Sequence, residues 1–145
     1  MVKLSVFGSV TVIILLNSLL STIPSSQGEL DSNANPVLNI SDANIDSAIS
    51  RNPALVLDCY KSGCGPCVEM DVALDEIAQD FRGKVMFGKI DMKENLETKE
   101  KYKIRSYPTL LLFDDEMLID RIVGYTSKES IEDEIASSFS LAIPQ

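Results

Sequence analysis

The chain has 145 residues, 45% hydrophobic and 24% charged, which is typical of one soluble domain and too short for two cores of usual size. Its 13 basic and 22 acidic residues leave a net charge of −9, so nucleic acid is not expected as a partner. The chain has no histidine, which excludes hydrolysis by a Ser-His or Cys-His pair and metal ligation by imidazole.

Residues 1–28 are predicted to be a secretory signal peptide or an N-terminal membrane anchor. Lys3 is the only charged residue in this segment, and residues 4–20 are mostly apolar. A cleaved signal is favoured over a retained anchor, because Asn17 and Ser18 interrupt the apolar stretch and a spanning helix needs about 20 apolar residues. We therefore expect an exported protein, periplasmic or otherwise extracytoplasmic, with membrane association through residues 4–20 as the alternative.

Residues 29–36 are polar and aperiodic and are predicted to be a linker that precedes one domain over residues 37–145. In this domain, strands and helices are predicted in the order β-α-β-α-β-α-β-β-α. The early alternation requires parallel strands joined by crossover helices, and the last two strands add an antiparallel hairpin. The predicted fold class is therefore α/β, a mixed β-sheet with helices on both faces. The predicted strands cover residues 37–40, 54–60, 85–91, 109–113 and 118–123.

Two patterns locate the middle of this domain. Residues 54–60 form a nearly unbroken apolar run, typical of a central strand that is covered on both faces. Ser41 is expected to cap the first helix, and Thr126 to form a capping box with Glu129 for the last one. A long helix that ends near Gly83 is predicted from apolar residues at helical spacing, namely Met70, Leu74, Ile77 and Phe81.

All three cysteines, Cys59, Cys64 and Cys67, fall within nine residues, whereas an exported domain stabilised by disulfides usually spreads its cysteines along the chain. A closed zinc site needs four ligands, and besides Cys64 and Cys67 the chain offers only Cys59 and no histidine. A redox-active pair is therefore favoured over a zinc site and over a purely structural disulfide. No metal ion is expected, and no cofactor beyond the disulfide itself.

Cys64-Gly65-Pro66-Cys67 follows the apolar strand and opens the long helix. At a helix N-terminus the unpaired N–H groups and the macrodipole favour an anion, so the pKa of the Cys64 thiol should fall from about 8.5 toward about 7. Three residues along the helix, Cys67 returns to the same face within disulfide reach. Gly65 lets a partner chain approach, and Pro66 suits a first helical turn because it lacks an N–H donor.

The chain resembles the thioredoxin family over roughly residues 37–139, in the family's order and spacing. The specific combination is Cys-Gly-Pro-Cys with the downstream Tyr-Pro-Thr, and the family fold agrees with the predicted order of strands and helices. The resemblance implies a thioredoxin-like fold and a thiol–disulfide oxidoreductase that acts on protein disulfides. The segments that carry it are residues 56–67 (Val-Leu-Asp-Cys-Tyr-Lys-Ser-Gly-Cys-Gly-Pro-Cys), 89–91 (Lys-Ile-Asp), 102–110 (Tyr-Lys-Ile-Arg-Ser-Tyr-Pro-Thr-Leu) and 123–124 (Val-Gly).

The resemblance also implies the catalytic roles. Cys64 would attack the substrate disulfide, and Cys67 would resolve the mixed disulfide that forms. Asp58 matches the family's buried carboxylate that takes the proton of the second cysteine. Independently, an Asp within an apolar strand should be desolvated and have a raised pKa, as a proton acceptor requires. Lys89 matches the family's partly buried lysine near that carboxylate; without the resemblance it is a solvated lysine at a strand edge.

The same resemblance implies a substrate-binding groove. Pro108 matches the family's cis-proline opposite the cysteine pair, and the Tyr107 backbone would then pair with an extended substrate strand. Gly124 matches the family's glycine in the same groove. Cis is a minority state, about 5–6% of X-Pro bonds in folded proteins, so only the resemblance supports it at Pro108.

The sequence departs from the family pattern at two positions. Gly63 stands where many thioredoxins have Trp, and the chain has no Trp, so the apolar docking surface around Cys64 is expected to be smaller and more open. Tyr60 is expected to supply part of the missing aromatic surface. Cys59 occupies a usually apolar position and is expected to be a small buried hydrophobe, with a regulatory third thiol as the alternative.

The predicted function is reduction of protein disulfides outside the cytoplasm. The Gly-Pro pair is associated, by resemblance, with reducing thioredoxins, and no histidine is present to stabilise a strongly acidic thiolate. We therefore expect a reduction potential closer to that of thioredoxin, about −270 mV, than to that of a strong oxidant, about −120 mV. Electrons would come from an unidentified reductase or a membrane electron donor. The alternatives are a disulfide oxidant or isomerase and a non-catalytic binding module with the same fold.

Overall fold

The computed structural model describes residues 37–142; the predicted signal or anchor (1–28) and linker (29–36) lie outside the described residues. The described residues follow the predicted order of strands and helices. None of the described helices is long and apolar enough to cross a membrane. The elements are β1 (Val37–Asn39), α1 (Ile45–Arg51), β2 (Ala54–Tyr60), α2 (Gly65–Asp80), β3 (Met86–Asp91), α3 (Leu96–Lys101), β4 (Thr109–Asp114), β5 (Met117–Val123) and α4 (Lys128–Ser138).

The strands form one mixed sheet with the order β1-β3-β2-β4-β5. β3 pairs in parallel with β1 and β2, and β4 pairs antiparallel with β2 and β5. β2 is therefore the central strand, as its apolar run predicts. The β4–β5 hairpin turns at Asp115 and Glu116, both at positive φ (44° and 69°), as a two-residue turn between twisted strands requires.

Each face of the sheet carries its own apolar core, and alternate residues of β2 belong to different cores. Val56 faces a core built with α2 and α4, to which Met70, Ile77 and Ile135 contribute. Leu55, Leu57 and Cys59 face the opposite core, built with α1. Further members of this second core are Ile45, Ile49, Ile90, Ile104, Leu111 and Phe113. The predicted mixed sheet with helices on both faces is confirmed.

The long helix α2 places the cysteine pair. Its buried stripe contains the predicted Met70, Leu74 and Ile77, and Pro66 lies in its first turn, where a missing N–H leaves no hydrogen bond unmade. Beyond Asp80 the chain turns, and Gly83 adopts φ +77°, so the helix ends near Gly83 as predicted.

Both predicted helix caps are wrong. α1 is preceded by a turn, so its N-cap residue is Asn44 and not Ser41. The Asn44 side chain accepts a hydrogen bond from the Ser41 backbone N–H at 2.8 Å, which ties it to the preceding turn. α4 is capped by Ser127 and not by Thr126, because Ser127 has the extended backbone that brings its hydroxyl oxygen within 3.2 Å of the Ser130 N–H.

Candidate active site

The cysteine pair lies at the junction of β2 and α2. Gly63 adopts φ +84° in the intervening turn, and the Cys64 N–H donates to the Lys61 carbonyl at 3.1 Å. Cys64 is the N-cap residue, with Gly65 as the first helical residue and Pro66 in the first turn. The predicted position at the helix N-terminus is thus confirmed. There the orphan N–H groups and the helix dipole stabilise a thiolate on Cys64.

Cys64 and Cys67 form a disulfide, with their Cα atoms 5.3 Å apart. The two sulfur-bearing residues differ in access: Cys67 is 5% exposed, whereas Cys64 is only half-buried. A bulky disulfide partner therefore reaches Cys64 before Cys67. This asymmetry suits an attacking thiol at Cys64 and a resolving thiol at Cys67.

The loop before β4 covers one side of the disulfide. The Tyr107–Pro108 peptide bond is cis, as the resemblance implies, and the Tyr107 carbonyl oxygen lies 3.9 Å from Cys64 Sγ. The Gly124 N–H donates to the Pro108 carbonyl at 2.8 Å, which brings Gly124 to this loop. Gly124 adopts φ +84°, and a Cβ added there would meet no atom within 4 Å. The structure thus brings Tyr107, Pro108 and Gly124 together beside Cys64, with open space above the glycine.

Asp58 lies in the middle of β2 and is 1% exposed, which confirms its predicted burial. Its Oδ1 atom has no hydrogen-bond partner among the described residues. Burial, followed by the negative charge of Asp71, raises the pKa of the Asp58 carboxyl to about 7, while Lys89 acts in the opposite direction. A carboxyl with a pKa near 7 exchanges its proton readily near neutral pH, as a general base must.

Lys89 and Asp71 form an ion pair next to Asp58. Lys89 is the register partner of Asp58 on the neighbouring strand β3. Its ammonium donates to Asp71 Oδ1 at 2.9 Å, and this hydrogen bond raises the pKa of Lys89. The lysine side chain is 26% exposed, so its predicted partial burial is confirmed. Sequence reasoning missed Asp71, although its position four residues after Cys67 puts both on one face of α2.

A cavity of ≈260 Å³ runs from the disulfide to these charged groups, and we call it the Asp58 groove. Since a water molecule takes up about 30 Å³ in the liquid, the groove as a whole has room for several waters. Val68, missed by sequence reasoning, stands beside the disulfide on α2 with 65% of its surface exposed. Residues lining the groove include Asp58, Cys64, Cys67, Val68, Asp71 and Lys89.

The two residues that follow Asp58 on β2 are Cys59 and Tyr60, for which the sequence predicts burial and an aromatic surface, respectively. Cys59 is 0% exposed and belongs to the opposite core, so its predicted burial is confirmed and it cannot join Cys64 and Cys67 as a third metal ligand. Burial, and then the charge of Asp58, raises the pKa of the Cys59 thiol, which keeps it protonated and unreactive. Tyr60 is half-buried and lines the Asp58 groove, where it contributes aromatic surface.

Fold and site together define a thiol–disulfide oxidoreductase. The sequence profile described as Thioredoxin matches residues 36–137. Thioredoxins of Staphylococcus aureus strains N315 and Mu50 / ATCC 700699 are each 37% identical to this chain over 95 residues, which is 66% of this chain and 90% of the relative. The chain therefore belongs to the thioredoxin family, and the predicted fold and enzyme class are confirmed.

Proposed function

We propose that this chain reduces protein disulfides outside the cytoplasm, with Cys64 and Cys67 as the reacting pair. The observation that carries the proposal is the arrangement around the disulfide. A half-buried Cys64 at a helix N-terminus faces the cis-proline loop, and a buried Cys67 borders a groove that leads to Asp58. This arrangement gives the substrate access to Cys64 and places Cys67 in the groove that contains the proposed proton acceptor.

The reaction starts from the dithiol form. The Cys64 thiolate attacks one sulfur of the substrate disulfide, and the other substrate sulfur leaves as a thiolate that takes up a proton. Cys67, as thiolate, then attacks Cys64 Sγ, which forms the Cys64–Cys67 disulfide and releases the second substrate thiol. Two electrons pass from the protein to the substrate. The disulfide must afterwards be reduced by an external dithiol or hydride donor, supplied by a reductase or a membrane electron carrier.

Asp58 is proposed to accept the Cys67 proton before the second attack. Its pKa near 7 leaves a substantial fraction of the carboxylate free to accept a proton at neutral pH. The shared groove supports this transfer, since the carboxyl and Cys67 both line it. Lys89 is proposed as a positioning residue that acts on Asp58 through its charge.

The reducing direction and the compartment rest on the sequence. The Gly-Pro pair between the cysteines and the absence of histidine support a low reduction potential. We expect a value closer to that of thioredoxin, about −270 mV, than to that of a strong oxidant, about −120 mV. Export is supported by the charge and hydropathy pattern of residues 1–28, which lie outside the described residues. A reductant in an oxidising compartment would rescue wrongly oxidised proteins or keep particular thiols reduced.

The reduction potential of the Cys64–Cys67 pair tests the direction. Equilibration of the protein with glutathione buffers should give a value close to that of thioredoxin, and a value near about −120 mV would identify an oxidant instead. Cys64→Ser should abolish reduction of insulin, whereas Cys67→Ser should accumulate mixed disulfides with substrate. Absence of a reversible couple would favour a binding module. N-terminal sequencing of the exported protein would decide between cleavage and anchoring.

A further inference from the structure

A second concave surface lies on the other side of the active-site loop, and its charge is opposite to that of the whole chain. It has a volume of ≈500 Å³, and we call it the basic pocket. One carboxylate, Glu100, lines it together with five cationic side chains, in a chain whose net charge is −9. The five cations are Lys61, Lys93, Lys99, Lys103 and Arg105.

The five cations come from separate segments, so one helix end does not explain them. Lys61 follows β2 and Lys93 follows β3, at the carboxyl ends of two parallel strands, while Lys99 belongs to α3. Lys103 and Arg105 lie in the connection from α3 to β4. Crevices at the carboxyl ends of parallel strands are the usual ligand sites of open α/β sheets. The tertiary fold therefore gathers dispersed positive charge at a position suited to a ligand.

These cations are also available to a ligand. Within residues 37–142, none of the five charged side-chain groups has a carboxylate oxygen within 4.0 Å, whereas Lys89, Lys101 and Lys128 all form ion pairs. Lys61 and Lys99 instead hold their ammonium groups 5.9 Å and 5.8 Å from the centroid of the Tyr107 ring. Near Lys93, Asp91 Oδ1 accepts a hydrogen bond from the Lys93 backbone N–H at 2.9 Å. Four of the five cations are exposed, so a ligand can reach their charges: Lys61, Lys93, Lys103 and Arg105.

The basic pocket adjoins the reacting sulfur. Tyr107 lines the pocket, and its carbonyl oxygen lies 3.9 Å from Cys64 Sγ. Lys61 lines both the basic pocket and the Asp58 groove. The pocket also contains apolar surface: Leu96 is 62% exposed at its edge, and Ile104 lies buried. A chain that places a disulfide on Cys64 therefore extends its neighbouring residues toward this pocket.

We propose that the basic pocket binds an acidic segment of the substrate protein, so that disulfides flanked by Asp or Glu and apolar residues are reduced preferentially. This inference rests on the proposed function, because it names the substrates of the same site. An acidic protein segment is favoured over nucleic acid because a short segment meets only the local positive charge. A long polyanion would also meet the repulsion of a protein with net charge −9.

The test compares two disulfide-closed peptides that differ only in the residues flanking one cysteine, glutamates in one and glutamines in the other. The wild-type dithiol protein should reduce the glutamate peptide with a kcat/KM about fivefold higher at ~0.01 M ionic strength. The preference should vanish at about 1 M salt, where the Debye length falls from about 30 Å to about 3 Å.

Matched variants locate the effect. Lys93→Gln with Lys103→Gln removes two of the five cations, and should reduce the preference for the glutamate peptide and leave the rate on the glutamine peptide unchanged. Arg82→Gln with Lys84→Gln changes the net charge by the same amount in the turn after α2, and should keep the preference. Lys99 is left intact because its ammonium lies over the Tyr107 ring.

Two results separate failure of this inference from failure of the proposed function. Equal, Cys64-dependent rates on both peptides at low salt would overturn the acidic-segment inference and leave disulfide reduction standing. No reduction of either peptide would overturn the proposed function and this inference with it. Protection of Lys93 and Lys103 from acetylation by a single-stranded oligonucleotide, but not by the glutamate peptide, would also overturn the inference.

Discussion

Asp58 and Cys59 are neighbours on β2 and almost equally buried, at 1% and 0% exposure, yet their surroundings differ completely. Because side chains alternate along a strand, Asp58 faces the side of α2 and Cys59 the side of α1. The carboxyl borders a groove that reaches the disulfide, whereas the thiol is enclosed by apolar side chains. Burial raises the pKa of both groups, but only Asp58 lines the groove that also contains Cys67.

The two concave surfaces beside Cys64 differ in the same way. In the Asp58 groove, Lys89 and Asp71 form an ion pair at 2.9 Å, and the Asp58 carboxyl is buried. Five cations and one carboxylate line the basic pocket, and none of the five cations forms a side-chain ion pair among residues 37–142. Proton transfer needs a shifted pKa, which burial supplies, while recognition needs charge that a partner can reach.

The largest effect is expected for Asp58→Asn, which tests the Asp58 groove. The folded carboxyl has a pKa of about 7 against an ordinary value of 3.8, so the folded state binds more protons between these values. Its contribution to stability is complete below about pH 3.8 and is lost as the pH rises through about 7. The wild-type free energy of unfolding should fall by about 3 kcal/mol between about pH 5 and about pH 8, and the variant should lose this dependence.

Urea unfolding of oxidised protein at both pH values measures the Asp58 effect. The control Asp133→Asn removes an exposed carboxylate on α4 and should keep the wild-type pH dependence. A wild-type protein equally stable at both pH values would contradict the raised pKa of Asp58.

Cys59→Ser tests the side of β2 that faces the apolar core built with α1. A hydroxyl enclosed by this apolar core should reduce the free energy of unfolding by about 2 kcal/mol, because its hydrogen bonds to water are lost on folding. Cys59→Ala controls for the lost sulfur volume. In alkylation of the reduced protein, Cys59 should react only after unfolding. Equal labelling of Cys59 in native and unfolded protein would show that this face is open.

Lys89→Gln tests how the groove sets the pKa of Asp58. Lys89 lowers that pKa, so its removal should shift the midpoint of the pH–rate profile for resolution of the mixed disulfide upward by about 0.5–1 unit. Lys101→Gln breaks an exposed ion pair with Asp46 and should leave the midpoint unchanged. Single-turnover kinetics across the neutral pH range measure the shift. A downward shift of the midpoint would contradict the proposed effect of Lys89 on Asp58.

The smallest effect is expected when the basic pocket is neutralised. Lys93→Gln with Lys103→Gln removes two exposed cations that form no ion pair within residues 37–142. The free energy of unfolding should therefore change by less than about 0.5 kcal/mol. A larger loss in urea unfolding would mean that these lysines support the fold, and the contrast between the two concave surfaces would weaken.

The element order and the place of Cys64 follow from local patterns, since an apolar run and a 3.6-residue period are legible without neighbours. Contacts between segments that are far apart in the sequence cannot be predicted from such local patterns. Asp42 accepts hydrogen bonds from the Glu97 and Thr98 backbone N–H groups, 55 and 56 positions away, and so satisfies the start of α3. The cap of α4 was missed by one residue, because Thr126 and Ser127 both fit the pattern and only the backbone conformation selects between them.

By itself, the sequence determined the fold class, the thioredoxin resemblance, the pair Cys64–Cys67 at a helix start and the burial of Asp58. The fold class, the helix start and the burial of Asp58 depend on periodicity and adjacent residues, and the resemblance depends on the motifs around Cys64 and Pro108. Only the tertiary structure decided the 2.9 Å pairing of Lys89 with Asp71, the groove between Asp58 and Cys67, and the basic pocket. Each of these joins side chains from different elements, and their mutual positions are set when helices pack on the sheet.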